Sequence, residues 1–239
     1  MTNRNETVPA LLRAKTYSFE DLCTIVELLR GENGCPWDRE QTHARIRRCM
    51  IEEAYEVVEA IDRDDPTLLC EELGDVLFQV VFHAELEREQ GRFSVGDVVT
   101  GIARKMIGRH PHVFGDETTA GSGEALQRWE EIKIREKGRR TLSSRLRAIP
   151  PMLPALLRAQ KVREKLRDTS DEENAPGVGA VLHAVERFAE TPGPEALGLL
   201  LYETVGLAAA CGLDAEEALM HTTEQVICDA ERAESEENI

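Results

Sequence analysis

From residue 19 onward, apolar positions recur along the chain at three- and four-residue intervals, the spacing of a helix face. Leu22, Ile25, Val26 and Leu29 predict a helix over Phe19 to Arg30 with Ser18 as its N-cap. Gly31-Glu32-Asn33-Gly34 ends it, and Cys35-Pro36-Trp37-Asp38 reads as a turn. Met50, Ala54, Val57, Val58 and Ile61 form the stripe of a second helix, ending near Asp62. Asp65 before Pro66 is an N-cap with proline at the first helical position, so a third helix starts there and runs to about Glu89. Its stretch Val76-Leu77-Phe78-Gln79-Val80-Val81-Phe82 is apolar nearly all round, which predicts burial. Ser94 opens a fourth helix through Val98, Ile102 and Met106, stopped at His110-Pro111.

The later half is punctuated differently. A Gly/Ser/Thr loop over 115–123 leads into an amphipathic helix around Trp129 and a basic run to residue 140. Pro150-Pro151 and Pro154 mark a boundary, and a helix then runs to about Arg167. An acidic, Pro/Gly-containing linker over 168–179 precedes helices near 180–190 and 195–211, and a last helix runs from Asp214 into an acidic tail. Residues 1–16 carry little pattern and are read as loose. No period-two strand pattern occurs, so the fold class is all-α: a four-helix-bundle-like domain over 1–140, then a second helical domain over 150–239. The two halves echo each other. Leu73-Gly74-Asp75-Val76-Leu77-Phe78-Gln79-Val80-Val81 lies over Leu197-Gly198-Leu199-Leu200-Leu201-Tyr202-Glu203-Thr204-Val205 with its apolar pattern kept, which suggests a duplicated bundle.

Charge adds a second layer. The chain has 239 residues, 31% of them charged, and a net charge of −16, which makes it a poor general binder of nucleic acid. The charge is uneven: residues 101–165 have an excess of about eight positive charges, and 168–239 about fifteen negative ones. Six cysteines without a CxxC pair read as thiols in a reducing compartment. The polar N-terminus has no hydrophobic signal core and no apolar run approaches a membrane span, so the expectation is a cytoplasmic protein with no membrane partner.

Carboxylates within apolar helices are the anomaly that points to chemistry. At 1.5 Å per residue, Glu56 lies roughly 9 Å back from Asp62 and Glu72 roughly 9 Å forward from Pro66, so the two come out level across a tight turn. Glu53 and Asp75 make a second level pair, and Glu53/Glu56 and Glu72/Asp75 each share a helix face. Alone, EExxE is an acidic helix face. Four converging carboxylates repel and take up protons unless a cation sits among them. An all-oxygen set favours Mg²⁺, with Mn²⁺ as a substitute, over zinc or copper. A ferritin-like di-iron site would need Glu-x-x-His pairs, which these helices lack.

Other candidates stay open between two roles. Lys105 and Arg109, four apart, form either a solvated basic face or a clamp for a polyphosphate. As an exposed pair they are expected to add little to stability. Trp37 either plugs the bundle end or stacks on a flat ligand. His110 and His112, with proline between them, read as a structural stop. A non-catalytic helical interaction module is the alternative function class.

Taken in order, several motifs resemble the MazG nucleoside triphosphate pyrophosphohydrolases of the all-α NTP pyrophosphatase superfamily. They are Cys35-Pro36-Trp37-Asp38-Arg39-Glu40-Gln41-Thr42, EExxE at 52–56, Glu72-Leu73-Gly74-Asp75, Arg109-His110-Pro111-His112-Val113-Phe114, Arg128-Trp129-Glu130, and Leu153-Pro154-Ala155-Leu156 with Ala159-Gln160-Lys161. The resemblance implies hydrolysis of a nucleoside triphosphate to monophosphate and pyrophosphate. It also implies Glu53, Glu56, Glu72 and Asp75 as Mg²⁺ ligands, Glu52 assisting the metal or the water, and Lys105 and Arg109 holding phosphates. The general base is open between Glu52 and Glu53, because metal binding and base function compete for the same groups. The second half departs from the family's two-repeat pattern. It has no EExxE, and the echo puts Ala196, Leu199, Gln225 and Asp229 where Glu72, Asp75, Lys105 and Arg109 stand, which implies a degenerate, structural second MazG-like repeat. A homodimer or higher homo-oligomer is expected, because one such bundle leaves much apolar helix surface to cover.

Overall fold

The computed structural model describes residues 4–136, 141–167 and 177–237. Every regular element among them is a helix. In chain order these are α1 (Arg4–Arg13), α2 (Phe19–Arg30), α3 (Pro36–Glu40), α4 (His43–Ile46), α5 (Cys49–Asp62), α6 (Pro66–Glu89) and α7 (Val95–Arg109). They are followed by α8 (Pro111–Phe114), α9 (Ser122–Glu136), α10 (Leu142–Arg147), α11 (Ala155–Arg167), α12 (Val178–Glu190), α13 (Pro194–Ala210) and α14 (Ala215–Glu237). Three expectations change. The first residues are not loose but contain α1, the 35–38 turn opens the short helix α3, and α10 lies in a stretch for which no helix was expected. The basic run at 137–140 and the linker at 168–176 lie outside the described residues. Among the described residues, no single helix is long and apolar enough to cross a membrane.

The chain divides into two compact units, Met1–Ala120 and Gly121–Ile239, so α9 belongs with the second. In the first, α5 and α6 form the main helical hairpin. Asp65 caps α6 by accepting from the Thr67 and Leu68 amides at 2.9 and 3.1 Å, while Asp64 takes a left-handed φ of 51° to turn the chain between them. The core lies at the other end of α6. Val81, Phe82 and Leu86 pack with Val26 of α2 and Ile46 of α4, with Phe78 edge-on to Phe82. The N-terminal half of α6 is open instead: Leu77, within the stretch expected to be buried, is 40% exposed, Leu73 before it is 51% exposed, and Val58 and Ile61 of α5 are exposed as well. A wide apolar face thus lies uncovered on the single chain.

Arg30 ties the 35–42 segment to this frame. Its guanidinium makes a two-pronged ion pair with Glu89 at 2.6 and 2.7 Å, donates to the Asp38 carbonyl at 2.5 Å, and lies over the Phe82 ring. A second tie runs through His43 and His83. Their rings are parallel with Nδ1 atoms 2.7 Å apart, closer than stacked rings can approach, so they meet edge to edge through one shared proton. His43 also reaches Glu87 at 2.5 Å, and Arg92 clasps Glu87 from the other side. Those ion pairs, led by the Arg92 hydrogen bond, hold the Glu87 carboxyl down to about 2, while burial and the neighbouring His43 lower His83.

In the second unit, α12 and α13 form the corresponding hairpin, with α11 against α13. The echo extends to burial. Ala196 is buried like Glu72 and Val205 like Val81, while Leu197 and Leu201 are exposed like Leu73 and Leu77. Arg163 of α11 locks onto α13 by an ion pair to Glu203 at 2.7 Å, with its guanidinium 3.9 Å above the Tyr202 ring. Trp129 on α9 lies under the Lys133 ammonium, and Glu130 pairs with Lys133 and Lys165.

Candidate metal centre

The α5–α6 turn sets the depth at which each carboxylate arrives. One carboxylate oxygen from each of Glu53, Glu56 and Glu72 falls within 4.8 Å of the other two. Glu72 is buried, Glu53 half-buried and Glu56 exposed, so the cluster opens from the hairpin interior to solvent. Burial first, then a hydrogen bond shared with Glu56 and the charges of Asp75 and Glu56, push the Glu53 carboxyl above the ordinary carboxylate range. Glu72 is raised by burial, then by the charges of Glu56, Asp75 and Glu71. Like-charge crowding of this kind is what a bound cation relieves. Three oxygen donors in one mouth, with no nitrogen or sulfur among them, fit a hard divalent ion. Asp75 is exposed and outside the group of three, but its charge acts on both Glu53 and Glu72.

The other predicted residues are placed as follows. Glu52 is exposed and pairs with Arg48 one turn back at 3.1 Å. Lys105 is exposed on α7, but Arg109 at the end of that helix is only 6% exposed, so the two do not form an exposed pair. Trp37 is 64% exposed, which removes the plug reading, and it is not among the residues of the core around Ile46 and Phe82. His110 Nδ1 donates to the Met106 carbonyl of its own helix end at 2.6 Å, in keeping with a helix stop. Gln79 was not singled out in the sequence. It is buried on α6 with its amide nitrogen 3.5 Å from Glu53 Oε1. Its signal was available: a lone polar residue inside a seven-residue apolar run, two helical turns beyond Glu72.

Residues 41–114, which span α4 to α8 and every carboxylate of the cluster, match the family model of the MazG nucleotide pyrophosphohydrolase domain. The chain is 40% identical over 215 residues to the nucleoside triphosphate pyrophosphohydrolase/pyrophosphatase MazG of Thermotoga maritima, covering 87% of this chain and 82% of that one. It is 42% identical over 219 residues to the nucleoside triphosphate pyrophosphohydrolase of Escherichia coli K12, covering 87% and 83%. A protein of the same name from Mycobacterium tuberculosis is 37% identical over 147 residues, covering 61% of this chain and 43% of that one. With such identity over most of both chains, and with the acidic hairpin falling inside the matched domain, this chain belongs to the MazG nucleotide pyrophosphohydrolase family.

Proposed function

We propose that the chain hydrolyses nucleoside triphosphates to the monophosphate and pyrophosphate in a Mg²⁺-dependent reaction at the α5–α6 hairpin, with Mn²⁺ able to substitute. The observation that carries this reading is the convergence of Glu53, Glu56 and Glu72 within 4.8 Å. Those three with Asp75 would hold the metal, which when bound supplies charge neutralisation for the phosphates and lowers the pKa of a coordinated water. Glu52 or Glu53 takes the proton from the attacking water. Lys105, open to solvent, and Arg109, at the buried end of the same helix, neutralise the leaving pyrophosphate. Trp37, with its ring largely in solvent, offers a face on which a base stacks.

The second unit, with Ala196 and Leu199 in place of two ligands, serves packing rather than hydrolysis, so catalysis lies within residues 1–140 and the 150–239 segment is structural. The exposed apolar residues on α5, α6 and α13 support a homodimer or higher homo-oligomer. Clearing nucleotides from a cytoplasmic pool is the role that suits such an enzyme.

A pyrophosphate-release assay tests the reading. Hydrolysis is expected with Mg²⁺ or Mn²⁺ and to vanish in excess EDTA; turnover that persists in EDTA refutes the metal centre. The full-length Glu53→Ala and Asp75→Ala variants are expected to fold and to lose activity. Near-normal turnover in either means the site lies elsewhere, and an inert wild-type chain favours the interaction-module alternative.

A further inference from the structure

We propose that Gln79 is a positioning residue for Glu53: its amide holds one carboxylate oxygen so that the other is presented to the divalent cation. The inference rests on the metal-centre reading above and deepens it. Gln79 stands alone as a polar residue in the run Val76–Phe82, and it is 8% exposed. Burying an amide among apolar side chains is unfavourable unless its polar ends find partners. A local conflict of this type marks a functional position when the partner belongs to a site. Here the partner is Glu53, whose Oε1 is 3.5 Å from Gln79 Nε2, at the long limit of a hydrogen bond.

Helix geometry explains how the contact arises. Gln79 follows Asp75 by four residues and Glu72 by seven, so all three share one face of α6. Helical side chains lean toward the N-terminus, and a glutamine is long enough to reach back by about one turn. It therefore arrives beside the Glu53 level of α5 from the core side, while the solvent side stays open. Its chemistry suits the task. A carboxylate already crowded by Glu56 and Asp75 gains a donor, yet the donor is neutral and cancels none of the charge that attracts a cation. A lysine or arginine there would neutralise the site. Ligating carboxylates are commonly held by outer hydrogen bonds of this kind.

The test uses the full-length chain and Mn²⁺ as probe, followed by calorimetric binding without nucleotide, alongside pyrophosphate release. Gln79→Met keeps length and volume but removes the donor. Gln79→Met is expected to leave the apo melting temperature unchanged or higher and to weaken Mn²⁺ binding by about 10- to 100-fold. In a Glu53→Gln background, Gln79→Met should cause no additional loss, because Gln79 acts through Glu53. If wild type binds Mn²⁺ and Gln79→Met binds it equally well, the positioning role is refuted and the metal centre stands. A further multiplicative loss in the Glu53→Gln background also refutes it, as that marks general packing. If wild type binds no Mn²⁺ at all, the metal centre and the positioning role fall together.

Discussion

Replacing Arg30 by methionine removes one guanidinium and, with it, the junction of α2, the 35–42 segment and the end of α6. The size of the effect follows from its partners. The ion pair contributes little of its own, because the Glu89 side chain is 36% exposed and its charge rehydrates when abandoned. The Asp38 carbonyl keeps the Gln41 amide at 3.2 Å, so it loses one of two donors, worth about 0.5–1.5 kcal/mol. Loss of the cation over Phe82 adds about 0.5–2 kcal/mol. Methionine recovers part of the stem packing, so the sum is about 1–3 kcal/mol. For a unit of this size that corresponds to a fall in melting temperature of roughly 10 °C. Thermal and urea unfolding followed by circular dichroism measure it. Arg30→Lys should fall between the two, since an ammonium cannot serve a carboxylate and a carbonyl in fork geometry. If both variants melt within 1–2 °C of wild type (about 0.5 kcal/mol or less), the junction is not what fixes the 35–42 segment.

Three further outcomes are expected. Glu72 has its folded-state pKa raised, so its contribution to stability is present below the unfolded value of 4.5 and is lost as pH rises through the folded value. Metal-free Glu72→Gln should therefore melt above wild type at pH 7.5, with the gap closing toward pH 4.5, and Mg²⁺ should raise the melting temperature of wild type but not of the variant. For His83 and Glu87 the folded values are lowered, so their contributions are present above the unfolded values of 6.5 and 4.5 and are lost as pH falls. The urea midpoint should begin to drop below pH 6.5 and drop again between 4.5 and about 2, and Glu87→Gln should remove the lower step. Lys105→Ala should raise the KM for the triphosphate with an unchanged melting temperature, whereas Arg109→Ala should lower the melting temperature as well; identical kinetics for Lys105→Ala would return that residue to the solvated face.

Where a local signal was enough, the sequence was readable. Asp65-Pro66 fixed the start of α6, Ser18 and Ser94 fixed the starts of α2 and α7 through capping boxes, and rise per residue alone brought Glu56 level with Glu72. What escaped depended on partners distant in the chain. Arg109 looked like a surface cation because helical spacing gives a face and not its environment. Trp37 looked equally suited to a plug because nothing nearby in sequence reveals that the core forms around Ile46 and Phe82 without it. The exposure of Leu73 and Leu77 was missed because periodicity reports that a helix is apolar, not whether the cover is supplied by the same chain. Gln79 went unread for the opposite reason: six apolar neighbours outvoted one amide.

The three-residue turn between α5 and α6 therefore acts as a ruler, and this has a consequence for how the chain can diverge. Surface turns ordinarily accept insertions. One residue added between Asp62 and Pro66 would rotate α6 by about 100° and advance it by about 1.5 Å, carrying Glu72 off the face shared with Glu53 and Glu56. Length change at this turn thus removes Glu72 from the acidic cluster as surely as its deletion would. The matching turn over 191–193 has no such register to keep, because Ala196 occupies the place of Glu72. Insertions and deletions should accumulate in the second hairpin and be purged from the first, so that the tolerance of each turn to a one-residue insertion is a genetic readout of which hairpin depends on its register.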